Sequence, residues 1–186
     1  EVEQSFSSLL EIPDFSRLDQ TLSFEAGYRK QNTDAFLAHT INSSAGITRI
    51  LTPELGIRAG LELESSGITD TQGNRNFYIA SLPIGIHWDN SDDLLDPHRG
   101  NRLSLFTAPT ISVDGDRILF LKSELRASIY YPLMGDTAIL AIRNRIGSIY
   151  GAETKSLPAT RRFFAGGGGS IRGLSFQRVG PLRLAA

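Results

Sequence analysis

Leu55-Gly56-Ile57-Arg58-Ala59-Gly60-Leu61-Glu62-Leu63-Glu64 sorts into two sets by parity. Leu55, Ile57, Ala59, Leu61 and Leu63 fall on one side of an extended chain. Gly56, Arg58, Gly60, Glu62 and Glu64 fall on the other. Successive strand side chains face opposite ways, so this is a strand with one apolar and one charged face. A helix would scatter the same charges around its surface.

The pattern recurs along the chain. In 122–131, Ser123, Leu125, Ala127, Ile129 and Tyr131 oppose Lys122, Glu124, Arg126, Ser128 and Tyr130. In 78–89, Tyr78, Ala80, Leu82, Ile84, Ile86 and Trp88 oppose Ile79, Ser81, Pro83, Gly85, His87 and Asp89. In 22–29, Leu22, Phe24, Ala26 and Tyr28 oppose Ser23, Glu25, Gly27 and Arg29. In 138–150, Leu140, Ile142 and Ile146 oppose Ala141, Arg143, Arg145 and Gly147. Segments 2–10 and 39–50 alternate less cleanly, and 102–113 begins well at Leu103 and Leu105 before blurring at Pro109. Together these predict eight strands. Short connectors at 51–54 and 133–137 and a longer polar one at 67–75 predict tight turns on one side and long loops on the other. Tyr28, Trp88, Tyr131 and Tyr150 stand near strand ends, where an interfacial aromatic girdle would lie.

Alternation alone fits a membrane-spanning β-barrel and also a soluble sandwich or lipocalin-like barrel. In the first, Arg58, Glu62, Lys122, Glu124, Arg126, Arg143 and Arg145 line a wet lumen. In the second they face solvent. The chain has 186 residues, a net charge of −1 and 40% hydrophobic residues. That balance does not suggest a nucleic-acid binder. No apolar run reaches the roughly 20 residues of a membrane-spanning helix, although barrel strands hide their hydrophobicity in alternation. There is no cysteine, so disulfide frameworks and cysteine-based zinc sites are excluded. No charged region followed by an apolar stretch marks a signal peptide at Glu1. Either an export signal has been removed or the chain starts inside a longer protein, and the strand pattern fits the second better.

Two segments break the pattern. The run from Trp88 to Gly100 holds four aspartates in eight residues, Asp89, Asp92, Asp93 and Asp96. The spacing fails an EF-hand, because Leu94 and Gly100 occupy the positions of the required glycine and glutamate. A turn with local aspartate hydrogen bonds is the expectation, with no metal. The second segment, 161–174, reads Arg-Arg-Phe-Phe-Ala-Gly-Gly-Gly-Gly-Ser-Ile-Arg-Gly-Leu. It carries neither a Walker loop nor a G-x-G-x-x-G register. The glycines Gly166, Gly167, Gly168 and Gly169 suit a tightly packed backbone path, and a plain linker would rarely be edged by Phe163-Phe164 and Ile171-Arg172-Gly173. No G-x-S-x-G elbow is present, and His39, His87 and His98 lack metal-ligand spacing, which leaves them as lumen or turn residues. No enzyme activity and no cofactor are expected.

The stretch from Trp88 to Leu105 resembles the strand–turn–strand pattern of the BamA/TamA superfamily, the bacterial surface antigen proteins. The stretch 162–181 resembles that superfamily's sixth extracellular loop. Its lead is Phe164-Ala165-Gly166-Gly167, its tripeptide is Arg172-Gly173-Leu174, and Gly180-Pro181 closes it. The pairing of Asp-Asp-Leu-Leu-Asp-Pro with Arg-Arg-Phe-Phe-Ala-Gly-Gly-Gly resembles TamA-like proteins more closely than BamA itself. Leu174 departs from the usual aromatic and keeps apolar packing without stacking.

The resemblance implies an all-β, antiparallel transmembrane β-barrel, partial here, with about eight strands of a barrel of about sixteen plus the sixth loop. Residues 1–186 would form one partial barrel domain, with strands over 1–151 and a long inserted loop over 152–181. Counting back from the loop, the segments would be strands four to eleven, and the opening strands, closing strands and POTRA domains would lie elsewhere. The implied role is insertion of barrel proteins or autotransporters into the outer membrane of a Gram-negative bacterium. The alternatives are a two-partner secretion pore or a passive porin-like channel. Implied partners are membrane lipids, client outer-membrane proteins and a periplasm-spanning protein. By residue match, Arg172 would anchor the loop inside the lumen to acidic groups on later strands, Gly173 would allow a close turn, and Phe164 with Gly166 to Gly169 would shape the backbone.

Overall fold

The alternating segments become neighbours in one antiparallel sheet. The computed structural model describes residues 2–33, 36–70, 73–114, 116–133 and 137–164. Within them lie β1 (Val2–Ile12), β2 (Gln20–Asn32), β3 (Leu37–Thr52), β4 (Leu55–Asp70), β5 (Gly73–Ser81), β6 (Ile84–Asp89), β7 (Gly100–Asp114), β8 (Asp116–Leu133) and β9 (Ala138–Tyr150). A 3₁₀ turn at Ala159–Arg161 follows. The order across the sheet is β1-β2-β3-β4-β5-β7-β8-β9, with β6 also between β4 and β7.

The nine strands occupy eight positions, which reconciles them with the eight expected. β5 and β6 keep one register against β4, Ser81 opposite Glu62 and Ile84 opposite Ala59. They keep one register against β7 as well, Ser81 opposite Thr110 and Ile84 opposite Thr107. The interruption is Pro83, which accepts the Gly60 N–H at 2.9 Å but has no N–H to return. Pro109 is the same case one strand over. It accepts from Leu82 at 3.0 Å and sits facing outward with β7 unbroken around it. The blurred alternation there is a loss of one donor, not the end of the strand.

Two faces follow from the register. Outward are Leu55, Ile57, Leu61 and Leu63 of β4, with Tyr78, Leu82, Ile84, Ile86 and Trp88 beside them. Inward are Arg58, Glu62, Glu64, Lys122, Glu124, Arg126, Arg143 and Arg145. In a soluble sandwich the apolar face is the one that packs. Here Leu61, Leu63 and Leu119 are 46%, 49% and 70% exposed, while the buried polar side chains Thr40, Ser66, Ser81, Thr110, Ser112 and Glu124 all stand on the other face. This inverted arrangement is that of a transmembrane barrel wall. From Tyr78 to Trp88, aromatic at both ends, the outward band runs eleven residues, matching the about 9–11 that a tilted strand needs to cross hydrocarbon. Tyr28, Tyr131 and Tyr150 also face outward, at 42%, 62% and 78% exposure.

Several strands are longer than the membrane requires; β3 and β4 have 16 residues and β8 has 18. At the end where β4 meets β5 the polarity inverts. Ser65, Gly67, Thr69, Asn74 and Asn76 face outward, while Ala38, Ile68, Phe77 and Ile79 turn inward and bury with Phe36. The excess length therefore carries a small water-type core beyond the hydrocarbon.

That inversion corrects two expectations. Segment 67–75 is not a long polar loop, because β4 and β5 are separated by residues 71–72 alone. Thr69 and Asn74 are outward strand positions in water, while Asp70 and Arg75 pair with each other on the inner face. The expected division into short and long connectors also fails: the ten-residue connector 90–99 lies at the same end as the two-residue turn 53–54. His39 is a third correction. It faces outward, where its Nδ1 bonds the Tyr28 hydroxyl at 2.8 Å, and joins the aromatic belt rather than the lumen.

Candidate functional site

β9 stops at Tyr150, opposite Leu121, so β8 overhangs it at the long-strand end. The chain turns inward there through Gly151, whose φ is +99°. A Cβ at that position would lie 2.9 Å from the Leu119 carbonyl oxygen, so glycine is required twice over. Residues 152–164 then cross the inner face. Leu157 and Ala159 bury against the sheet, and the 3₁₀ turn closes with Arg161 N–H donating to Pro158 O at 3.0 Å.

The turn aims Arg161 at β4. Its Nη2 donates to Glu62 Oε1 at 2.8 Å and also to Glu64 Oε2. Glu62 and Glu64 stand two residues apart, hence on one face, and a planar guanidinium can serve both. Side-chain exposure is 15% for Arg161, 25% for Glu62 and 7% for Glu64, so the pairing is largely desolvated. Arg162 turns back on its own segment and donates to Leu157 O at 2.8 Å. Arg75 of β5 donates to Lys155 O at 3.4 Å while pairing with Asp70 at 3.2 Å.

Two aromatics complete the attachment. The Phe163 ring lies over Gly147 of β9, where an added Cβ would come within 2.8 Å of it. Lys122 Nζ sits 4.8 Å from the centre of that ring, in cation–π range. Phe164 packs on Phe36 with ring centres 6.3 Å apart. The segment is thus held by β4, β5, β8 and β9 together, fastening one side of the wall to the other.

At the opposite end the 90–99 connector is a built turn. Asp92 Oδ1 accepts from the His98 and Arg99 N–H groups at 2.9 and 3.0 Å. Asp93 Oδ1 accepts from Leu95 and Asp96 at 2.7 and 2.9 Å. Arg102 of β7 pairs with Asp89 at 3.0 Å and donates to the Asp93 and Leu94 carbonyls at 2.7 and 3.0 Å. The local aspartate bonding expected of this run is what the structure has. The Arg99 N–H holds the Asp92 carboxyl below the ordinary value of 3.8, with His98 adding to it, and the Asp96 and Leu95 N–H groups do the same for Asp93. A depressed carboxylate stabilises the turn above the ordinary value and loses that contribution as pH falls through its folded value. Carboxyl NMR should show both aspartates titrating below 3.8. Midpoints at or above it would contradict the turn geometry.

Of the sequence-predicted site residues, Phe164 is in place on the inner face. Gly166 to Gly169, Arg172, Gly173 and Leu174 lie outside the described residues. The sequence places Glu62 and Glu64 on the charged face of a strand but does not name Arg161 as their partner. The available signal was two alternate inward carboxylates on a membrane strand, which call for a cation.

A family model described as the Omp85 superfamily domain matches residues 1–184. The fold is similar to the crystal structure of BamA from Haemophilus ducreyi lacking POTRA domains 1–3, with a TM-score of 0.80 at 16% identity. The match covers 96% of this chain and 39% of that one, so this chain spans about two fifths of the length of the crystallised chain.

Proposed function

The chain belongs to the Omp85 superfamily, and from that premise we propose that its parent protein inserts or translocates other proteins at the outer membrane of a Gram-negative bacterium. The work is non-enzymatic. Its medium is membrane lipid, and its clients are outer-membrane proteins. The observation that carries this reading is the segment after β9, folded onto the inner face and held there by Arg161 on Glu62 and Glu64. In a passive channel such a segment would only constrict the lumen. An assembly barrel gains a wall whose curvature is set from inside. The finer assignment we propose is a TamA-like member that assembles autotransporters with a periplasm-spanning partner, on the pairing of the 90–99 turn with the glycine-rich loop.

Within this reading Arg172 is a second anchor further along the loop, and Gly173 and Leu174 shape its seat. Arg58 is the comparison: it faces inward, is exposed and has no bonded partner among the described residues. In proteoliposomes holding the parent protein, Arg172→Ala should slow client insertion by roughly tenfold or more, the factor that about 1.4 kcal/mol of lost anchoring gives. Arg58→Ala should change it little. Equal, wild-type rates for both variants would remove the anchor role. Large, steady single-channel conductance without client insertion would replace the assembly reading with a porin.

A further inference from the structure

The inner face of β7, β8 and β9, at the end away from the 152–164 segment, carries more positive charge than it neutralises. Register places Arg126 opposite Arg145. Like charges directly opposed in a sheet repel unless an anion lies between them. Glu124 supplies one, with Arg145 Nη2 at 2.7 Å and Arg126 bonded to its other oxygen. Arg143, two residues along the same face, is exposed and has no bonded partner among the described residues. Two arginines thus share one carboxylate and the third has none. Arg102 across Ser128 is committed to Asp89 and to the 90–99 turn. The side chains are also available, since Arg126 and Arg145 are 63% and 51% exposed.

We propose that this arginine patch docks an acidic polypeptide segment. The patch faces away from the outward apolar belt, so lipid headgroups do not reach it. It extends along the strand rather than converging: Arg143 and Arg145 are about 7 Å apart along β9, and Arg145 and Arg126 about 5 Å apart across strands. With Arg126 and Arg145 already turned onto Glu124, the unmet demand runs out towards Arg143. An extended chain with several carboxylates meets that layout, whereas one small anion meets a single point of it. Guanidinium groups suit such pairing because they are weakly hydrated and present paired donors. The inference rests on the assembly reading for the source of the peptide, an entering client chain, while the site itself stands on charge and geometry.

The test is fluorescence anisotropy on the whole parent protein in detergent micelles, with a labelled oligoglutamate peptide and an oligoglutamine peptide of equal length. Oligoglutamate should bind, weakening as salt rises, and oligoglutamine should not. Arg143→Gln with Arg145→Gln should weaken binding roughly tenfold or more, about 1.4 kcal/mol. Arg143→Lys with Arg145→Lys should restore most of it, which separates charge loss from misfolding. Equal binding of the two peptides, unchanged binding by the Gln variant, or displacement by inorganic phosphate beyond its ionic-strength effect would overturn the proposal. Client insertion is read separately, on the same variants in proteoliposomes. Insertion without peptide binding sinks the patch alone, and peptide binding without insertion sinks the assembly reading alone.

Discussion

Arg161→Ala should free residues 152–164 from the inner face and leave the rest of the wall standing. The substitution strands Glu64, whose side chain is 7% exposed, beside Glu62 with no cation between them. Removing one partner of a buried pair costs about 3–5 kcal/mol, because the remaining charge stays desolvated. That exceeds what the Lys122–Phe163 contact, about 0.5–2 kcal/mol, can hold. Limited proteolysis of the membrane-embedded protein should cut within 152–164 in the variant and spare the wild type. Neutralising the acids as well, as Arg161→Met with Glu62→Gln and Glu64→Gln, should recover part of the protection, since no charge is then left unpaired. A protected segment in Arg161→Ala would mean that the aromatic contacts suffice and the ion pairs are incidental.

Gly60→Ala should impair folding of the wall itself. Gly60 and Gly46 face each other inward across β4 and β3, with Pro83 on the other side of Gly60. A Cβ at Gly60 would stand 2.6 Å from the Ala45 carbonyl oxygen and 3.2 Å from the Gly46 Cα. Both obstacles are backbone, so no side-chain rotation relieves them. Overpacking of this kind costs about 1–3 kcal/mol, spent here where a missing Pro83 donor already thins the ladder. Small inward residues at a tight bend are how curved sheets close. Gly56→Ala is the control, because its nearest obstacle is Arg49 O at 3.9 Å, ordinary contact. Heat-modifiable gel migration after refolding should show Gly60→Ala largely unfolded and Gly56→Ala like wild type. Equal refolding of the two would refute the close approach.

Strand identity and facing were legible wherever the outward residues are apolar and the inward ones charged. From Leu55 to Glu64 and from Tyr78 to Asp89 the parity of the sequence is the parity of the wall. Legibility ended where the strands leave the hydrocarbon. Beyond Glu64 the inward side becomes Ser66 and Ile68 and the outward side Ser65, Gly67 and Thr69, so polarity no longer marks a face and the stretch reads as a loop. His39 was misplaced for the same reason: polarity suggested lumen, but an aromatic belt takes a histidine paired with Tyr28. Pro83 was legible as an inward residue, while its missing donor shows only when Gly60 and Ala108 are placed beside it. The Arg161 attachment was the least legible part. It joins residues about a hundred positions apart in sequence, and nothing local to Arg161-Arg162 names Glu62 and Glu64.

The central claim is that the chain after β9 lies across the inner face against β4. The absence of cysteine makes this directly measurable. Cysteines placed at Phe36 and Phe164, whose ring centres lie 6.3 Å apart, leave the Arg161 anchor intact and should be joined by a short bifunctional maleimide in native membranes. Pairs placing one cysteine at Phe164 and the other at outward Leu37 or at distant Arg143 should not. A strong Phe36–Phe164 product, seen as a shifted band whose two halves survive proteolysis in 152–160 as one species, is the predicted result. Equal yields from Leu37 and Phe36, or no product from either, would contradict it.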